Sequence, residues 1–345
     1  MCIRDRYIDR ADILWVVVVV LGILSVSSLL TALSTNLITL SFARILLSFS
    51  MPFVWPICAK ITSMYSASSG YGYSTALYDI GSIIGLALTY LIMALNGSWR
   101  SSMAIASVLG FIYIPIVLAI RRRFIREKDV KRSIQERSYR HVSPSTEKLG
   151  GKVIKVGLVL FLAFFSALYT WGFIVNWLST FLVNELKFDY SYIALYMVFI
   201  AIVASILEIR AGIYSDRVGG LRGKIIILYI GLIPSAALLL ISALTNMPLT
   251  RILSITLSVV IYRVATPSFW SIVNEVIPVE FIGRFGTIYT LAGPLSGIVS
   301  SILNGYIVAL TNSVKYGVVI SSALLFLSIL LYSMVNRLYR GCSAR

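Results

Sequence analysis

Apolar runs almost free of charge recur along nearly the whole chain. Ten of them, at 13–33, 37–59, 72–94, 102–120, 156–182, 192–213, 225–245, 250–273, 283–309 and 315–336, are long enough to cross a hydrocarbon core of about 30 Å at about 1.5 Å per residue. Lipid offers the backbone no hydrogen-bond partner, so a spanning segment must be a helix or part of a closed barrel, and continuous runs of this length are helical. The pattern predicts an all-α integral membrane protein with ten transmembrane helices.

One connection breaks the rhythm. Residues 121–155 carry twelve Lys and Arg against four acids, which divides the chain into four spans and then six. With this linker in the cytoplasm, only Arg100, Lys187, Arg251 and Lys315 lie in outer loops and Arg44, Arg210 and Arg263 inside spans, leaving the other 23 of the 30 basic residues on the linker's side. That bias orients the protein, with both termini cytoplasmic.

The two halves also repeat. Pro52-x-x-Trp55 in the second span parallels Pro267-x-x-Trp270 in the eighth, and Gly81-x-x-x-Gly85 in the third parallels Gly293-x-x-x-Gly297 in the ninth. If spans one to four repeat spans seven to ten, the fifth and sixth lack partners, which predicts a parent of twelve helices with two preceding residue 7. Met1–Arg6 also reads as the translation of a sequencing-library transposon end and is set aside from fold reasoning.

Composition narrows the function. The chain has 345 residues, 58% hydrophobic and 13% charged, with mean hydropathy +0.89, far from an ordinary soluble protein. The net charge of +16 sits in loops as a topology signal, so nucleic-acid binding is excluded. Cys2, Cys58, Cys342 and the lone His141 form no metal-ligand or disulfide pattern. No nucleophile–base pair or phosphate loop stands out either, so neither an enzyme nor a cofactor is expected.

Gly212-Ile-Tyr-Ser-Asp216-Arg217-Val-Gly219-Gly-Leu-Arg222-Gly-Lys224 joins the sixth and seventh spans. It resembles the G-x-x-x-D-R-x-G-basic signature of the major facilitator superfamily, in the place of that family's second copy. Arg44 resembles its helix-four arginine motif, although Ser48 stands where glycine is usual. Trp99-Arg100 resembles the start of helix six, and Asn274-Glu275-x-x-Pro278 with Gly283-Arg284 the exit of helix ten. The resemblance implies residues 7–120 as a partial N-terminal bundle of family helices three to six, 121–155 as a basic linker, 156–336 as a six-helix C-terminal bundle and 337–345 as a tail. It also implies that Gly212 lets helices approach closely and that Asp216 caps a neighbouring helix N-terminus, expected to be that of the ninth span near Gly283. Arg217, Gly219, Arg222 and Glu275 complete this conformational motif.

Ionisable groups at membrane depth are costly and mark candidate sites. Arg263, in mid-span, is expected either to bind an anionic substrate group, for which a guanidinium suits carboxylate or phosphate, or to pair with a residue such as Glu208. Asp79 and Glu208 are candidates for proton coupling, with buried ion pairs as the plainer reading. Arg44 is a further substrate-binding candidate, open also to a structural or a coupling role, and Arg210 to snorkelling. By the resemblance, the fifth and eighth spans line the family's central cavity, which adds Tyr169, Asn176 and Trp270 as substrate contacts. Tyr169 and Asn176, seven residues apart, share a helix face, while Trp177 also suits an interfacial belt.

The expected function is therefore a monomeric plasma-membrane transporter moving a small organic anion (a carboxylate, sugar acid or phosphorylated solute) by alternating access with a proton as coupling ion. Phe53-Val54-Trp55-Pro56 and Asn176-Trp177-Leu178 resemble anion and sugar-acid symporters of the superfamily. The alternatives are an exporter of drugs or metabolites, or a non-transporting sensor or degenerate paralogue.

Overall fold

In the computed structural model every apolar run is a helix: α1 Ile13–Leu33, α2 Leu37–Tyr65, α3 Tyr71–Asn96, α4 Trp99–Gln135, α5 Gly151–Leu186, α6 Tyr190–Val218, α7 Gly220–Leu244, α8 Pro248–Val276, α9 Ile282–Thr311 and α10 Lys315–Ser343. The structure describes residues 13–65, 71–135, 151–277 and 282–343. The set-aside Met1–Arg6, Cys2, His141 and Pro278 lie outside them, as do the side chains of Asn274, Arg284 and Cys342. Each helix contains a stretch long and apolar enough to cross a membrane. The expected linker shortens at both ends, because α4 continues to Gln135 and α5 begins at Gly151. A helix of 36 residues, as α5 is, extends about 54 Å at 1.5 Å per residue, well past a hydrocarbon core.

The chain forms two compact units. In the smaller one α1 packs on α2 and α4, joined by hydroxyl-to-carbonyl bonds, Ser27 Oγ to Ala43 at 2.8 Å and Ser107 Oγ to Ser25 at 2.8 Å. The guanidinium of Arg121 lies 5.2 Å from the Trp15 ring. Small hydroxylated residues suit such interfaces, since lipid supplies no hydrophobic drive and close backbone approach must provide the packing energy.

The larger unit groups residues 66–90 with 146–345. Within it α5 packs on α9 and α10, and α7 on α8 and α10, while α6 packs on α8. Its core is aromatic: Phe164 stacks on Tyr289 at 4.2 Å between ring centres and meets Phe269 and the edge of Trp270. Of the spans, α8 is the most enclosed, which explains how it can carry an arginine at its midpoint.

A polar clasp ties helix ends of this unit together. Glu185, at the end of α5, accepts from Ser313 Oγ at 2.6 Å, from the Val314 amide at 3.1 Å and from Arg251 Nη2 at 3.3 Å. Arg251 in turn donates through Nε to the Ser242 carbonyl of α7 and lies over Phe181. Glu185 thus serves as an N-terminal cap for α10, where the exposed amide end of a helix favours negative charge. Glu185→Ala is expected to cost about 1–3 kcal/mol, the penalty for stranding partly buried donors, and Glu185→Gln less. Thermal melting of the purified protein checks this.

Candidate functional site

Arg263, Asp79 and Glu208 come together inside the larger unit, from α8, α3 and α6. All three are buried, Glu208 completely and Arg263 to 2% exposure. Nε of Arg263 donates to Glu208 Oε2 at 3.0 Å, and Nη2 lies 2.8 Å from the same oxygen. Nη2 also donates to the backbone carbonyl of Asp79 at 2.9 Å and lies 2.9 Å from Asp79 Oδ2. That carboxyl oxygen accepts no hydrogen bond despite the short distance, because the donors of Arg263 point at Glu208 and at the carbonyl. The Trp171 ring lies 4.9 Å from the guanidinium carbon, a cation–π contact that adds to holding the charge without water.

Two donor groups remain. Among the described residues Nη1 of Arg263 has no protein partner, so part of the guanidinium is uncommitted at mid-span. A guanidinium with one nitrogen unused is suited to an incoming anion.

Pro267 shapes the other side of the cluster. A proline has no N–H, so the carbonyl four residues earlier, that of Arg263, loses its helical partner. The Thr266 hydroxyl lies 2.7 Å from this carbonyl and 2.7 Å from Glu208 Oε1. It has a single hydrogen to give and lone pairs to accept.

A second polar site holds the start of α3. Asp216 accepts from the amide of Gly72 through Oδ1 at 2.8 Å and from the amide of Tyr73 through Oδ2 at 2.8 Å. This corrects the expectation that it caps α9: the N-terminus in front of it belongs to α3. The reason is steric, because Gly72 and Gly212 lie face to face, and a Cβ on Gly212 would stand 2.5 Å from the Gly72 carbonyl oxygen. Only two glycines allow the backbones this close. Lys224, 2% exposed, donates to Asp216 Oδ1 at 3.1 Å. Sequence reasoning passed over it, though it ends the motif as its last basic residue. Arg217 and Arg222 are exposed, while Gly219 provides the left-handed turn, φ 74°, between α6 and α7.

The other candidates have separate surroundings. Tyr169 is enclosed, its hydroxyl accepting from Asn304 Nδ2 at 3.1 Å. Asn176 is exposed and donates to Ser301 Oγ at 3.1 Å, so both turn toward α9. Trp270 packs its edge on Phe164, Arg44 and Arg210 are exposed, and Glu275 is half-buried on α8. No group of side chains suited to a metal occurs among the described residues.

Comparison with known proteins agrees with this architecture. The chain is 22% identical over 342 residues to a probable sulfoacetate transporter of Cupriavidus necator, covering 93% of this chain and 78% of that protein. It is 23% identical over 326 residues to the hexuronate transporter of Bacillus subtilis, covering 90% and 74%. The crystal structure of the human organic anion transporter MFSD10 has the same fold, with a TM-score of 0.69 at 15% identity, over 93% of this chain and 77% of that one. These relatives are transporters and not enzymes. The Major Facilitator Superfamily pattern matches residues 5–301, and the chain, a multi-pass helical membrane protein, belongs to that family.

Proposed function

We propose that this protein is a secondary transporter that moves small organic anions across the plasma membrane by alternating access, driven by protons. The observation that carries the reading is Arg263: a guanidinium buried at the middle of the most enclosed span, with Nη1 unpartnered among the described residues. A permanent positive charge in that setting recognises carboxylate or sulfonate, and the two relatives are named for such solutes, sulfoacetate and hexuronate. Asp79 and Glu208 against the same guanidinium supply groups that can exchange a proton while the anion comes and goes. The positive-inside bias favours cytoplasmic termini, and one chain suffices for the site.

The test is counterflow in proteoliposomes containing the purified chain. Preloaded D-glucuronate or sulfoacetate is expected to accelerate entry of the same labelled anion, and a proton gradient, acidic outside, to drive accumulation. Counterflow of neutral apolar compounds in place of anions would favour the exporter reading, and no counterflow of either would favour a non-transporting protein.

A further inference from the structure

The two carboxyl groups beside Arg263 are not equivalent. Asp79 Oδ2 is buried and accepts no hydrogen bond, although it stands 2.9 Å from Nη2. Glu208 takes the Nε hydrogen and lies against Nη2, and its second oxygen faces the Thr266 hydroxyl. One guanidinium and two carboxylates sum to a net negative charge when all are ionised, and a bilayer interior penalises that excess. A single proton neutralises the cluster. The bonds made to Glu208 in this geometry, from Nε of Arg263 and from the Thr266 hydroxyl, are those an anion accepts.

Glu208 nevertheless has a ready place for a proton. When it is ionised, the Thr266 hydroxyl donates to Oε1. When Oε1 is protonated, Glu208 donates to the Thr266 oxygen, and that hydroxyl turns to the Arg263 carbonyl, 2.7 Å away and freed by Pro267. Both states leave the hydroxyl hydrogen satisfied, so the local structure accommodates either without moving a helix. The groups facing the pair are Arg263 and Thr266 from α8 and Asp79 from α3. Tyr262, next to Arg263, turns its hydroxyl to the Ala167 carbonyl of α5, α5 contributes the Trp171 ring, and Ile227 of α7 packs beside Ala211 of α6, one turn past Glu208.

Building on the anion reading, we propose that Glu208 carries the coupling proton and that Thr266 reverses its hydrogen bond to accept it. The exchange balances: a proton arrives on Glu208, Arg263 loses a charged partner and gains the substrate anion, and both are released on the other side. Thr266 is a positioning residue in this scheme. It touches the proton carrier and not the substrate.

Infrared difference spectra of the full chain in lipid, titrated with pH and without any substrate, test the assignment independently of which anion is carried. One protonated-carboxyl band is expected from this cluster. It appears and disappears with pH, is absent in Glu208→Gln and remains in Asp79→Asn. In Thr266→Val the titrating band moves to the higher frequency of a carboxyl group lacking a hydrogen-bond acceptor, and Thr266→Ser returns it. Under an acid-outside gradient, Glu208→Gln is expected to lose at least tenfold of its proton-driven accumulation. A titrating band lost in Asp79→Asn in place of Glu208→Gln, or unmoved in Thr266→Val, overturns the proposal. A chain with this band but no anion counterflow would overturn the substrate reading and leave the proton assignment standing.

Discussion

Arg263→Ala is expected to abolish anion uptake while the protein remains folded. Losing a desolvated, charge-assisted partner costs a bound anion roughly 2–5 kcal/mol, a fall of about thirtyfold to several thousandfold in affinity. Stability should suffer less than breaking a buried pair usually implies, because the groups left behind are carboxyls that can become neutral by taking protons. Trp171 loses its cation–π partner, worth about 1–2 kcal/mol when desolvated. Arg263→Lys should fail nearly as badly: an ammonium is a compact point charge and cannot hold Glu208, the Asp79 carbonyl and an anion along three separate directions. Counterflow together with thermal melting in detergent separates the outcomes. Full uptake in the Ala variant would remove Arg263 from substrate recognition, and a melted Ala variant would make it a structural group.

How much of this could be read from the chain alone depends on what fixed each feature. The helices were legible because a charge-free run in lipid has one backbone solution, and the predicted bounds fall inside the observed helices at almost every span. Arg263, Asp79 and Glu208 stood out individually for the same reason, since depth makes any charge conspicuous. Their meeting did not, beyond the option of an Arg263–Glu208 pair, because α3 and α8 are separated by 184 residues at the Asp79–Arg263 contact and nothing local sets which helices face each other. Pro267 was visible in a repeated Pro-x-x-Trp element, with Thr266 just before it. Their chemistry depends on a carbonyl that the proline unpairs and on Glu208 lying across the interface, neither of which a linear pattern encodes.

The α3 cap shows a related limit. Asp216 in its motif announces a capping carboxylate, but any of several helix N-termini could sit above it. The choice is made by Gly72 opposite Gly212, and Gly72 belongs to no motif. Lys224 was likewise counted as one more basic residue of a loop. Its 2% exposure sets it apart from Arg217 and Arg222, which face outward.

Asp216→Ala is expected to loosen the start of α3 and to destabilise the protein by several kcal/mol. Three interactions end on this one carboxylate: the amides of Gly72 and Tyr73, each at 2.8 Å, and the Lys224 ammonium at 3.1 Å. An N-cap alone is worth about 0.5–2 kcal/mol. Breaking a buried pair by removing one partner costs about 3–5 kcal/mol, because the remaining charge is stranded, and Lys224 is the residue that would be stranded. Asp216→Asn keeps one acceptor oxygen for an amide but loses the charge, so it should fall between wild type and Ala. Lys224→Met should be milder than either, since Asp216 retains both amides and the favourable end of the α3 dipole. Thermal melting of the four proteins orders these costs. The decisive measurement is the double variant Asp216→Ala with Lys224→Met: if stranding Lys224 is the main penalty, removing it should recover about 1–3 kcal/mol relative to Asp216→Ala alone, a coupling of the size found for directly contacting groups. Strict additivity would mean that the lysine contributes little and that the two amides, together with the glycine contact beside them, hold α3 in place.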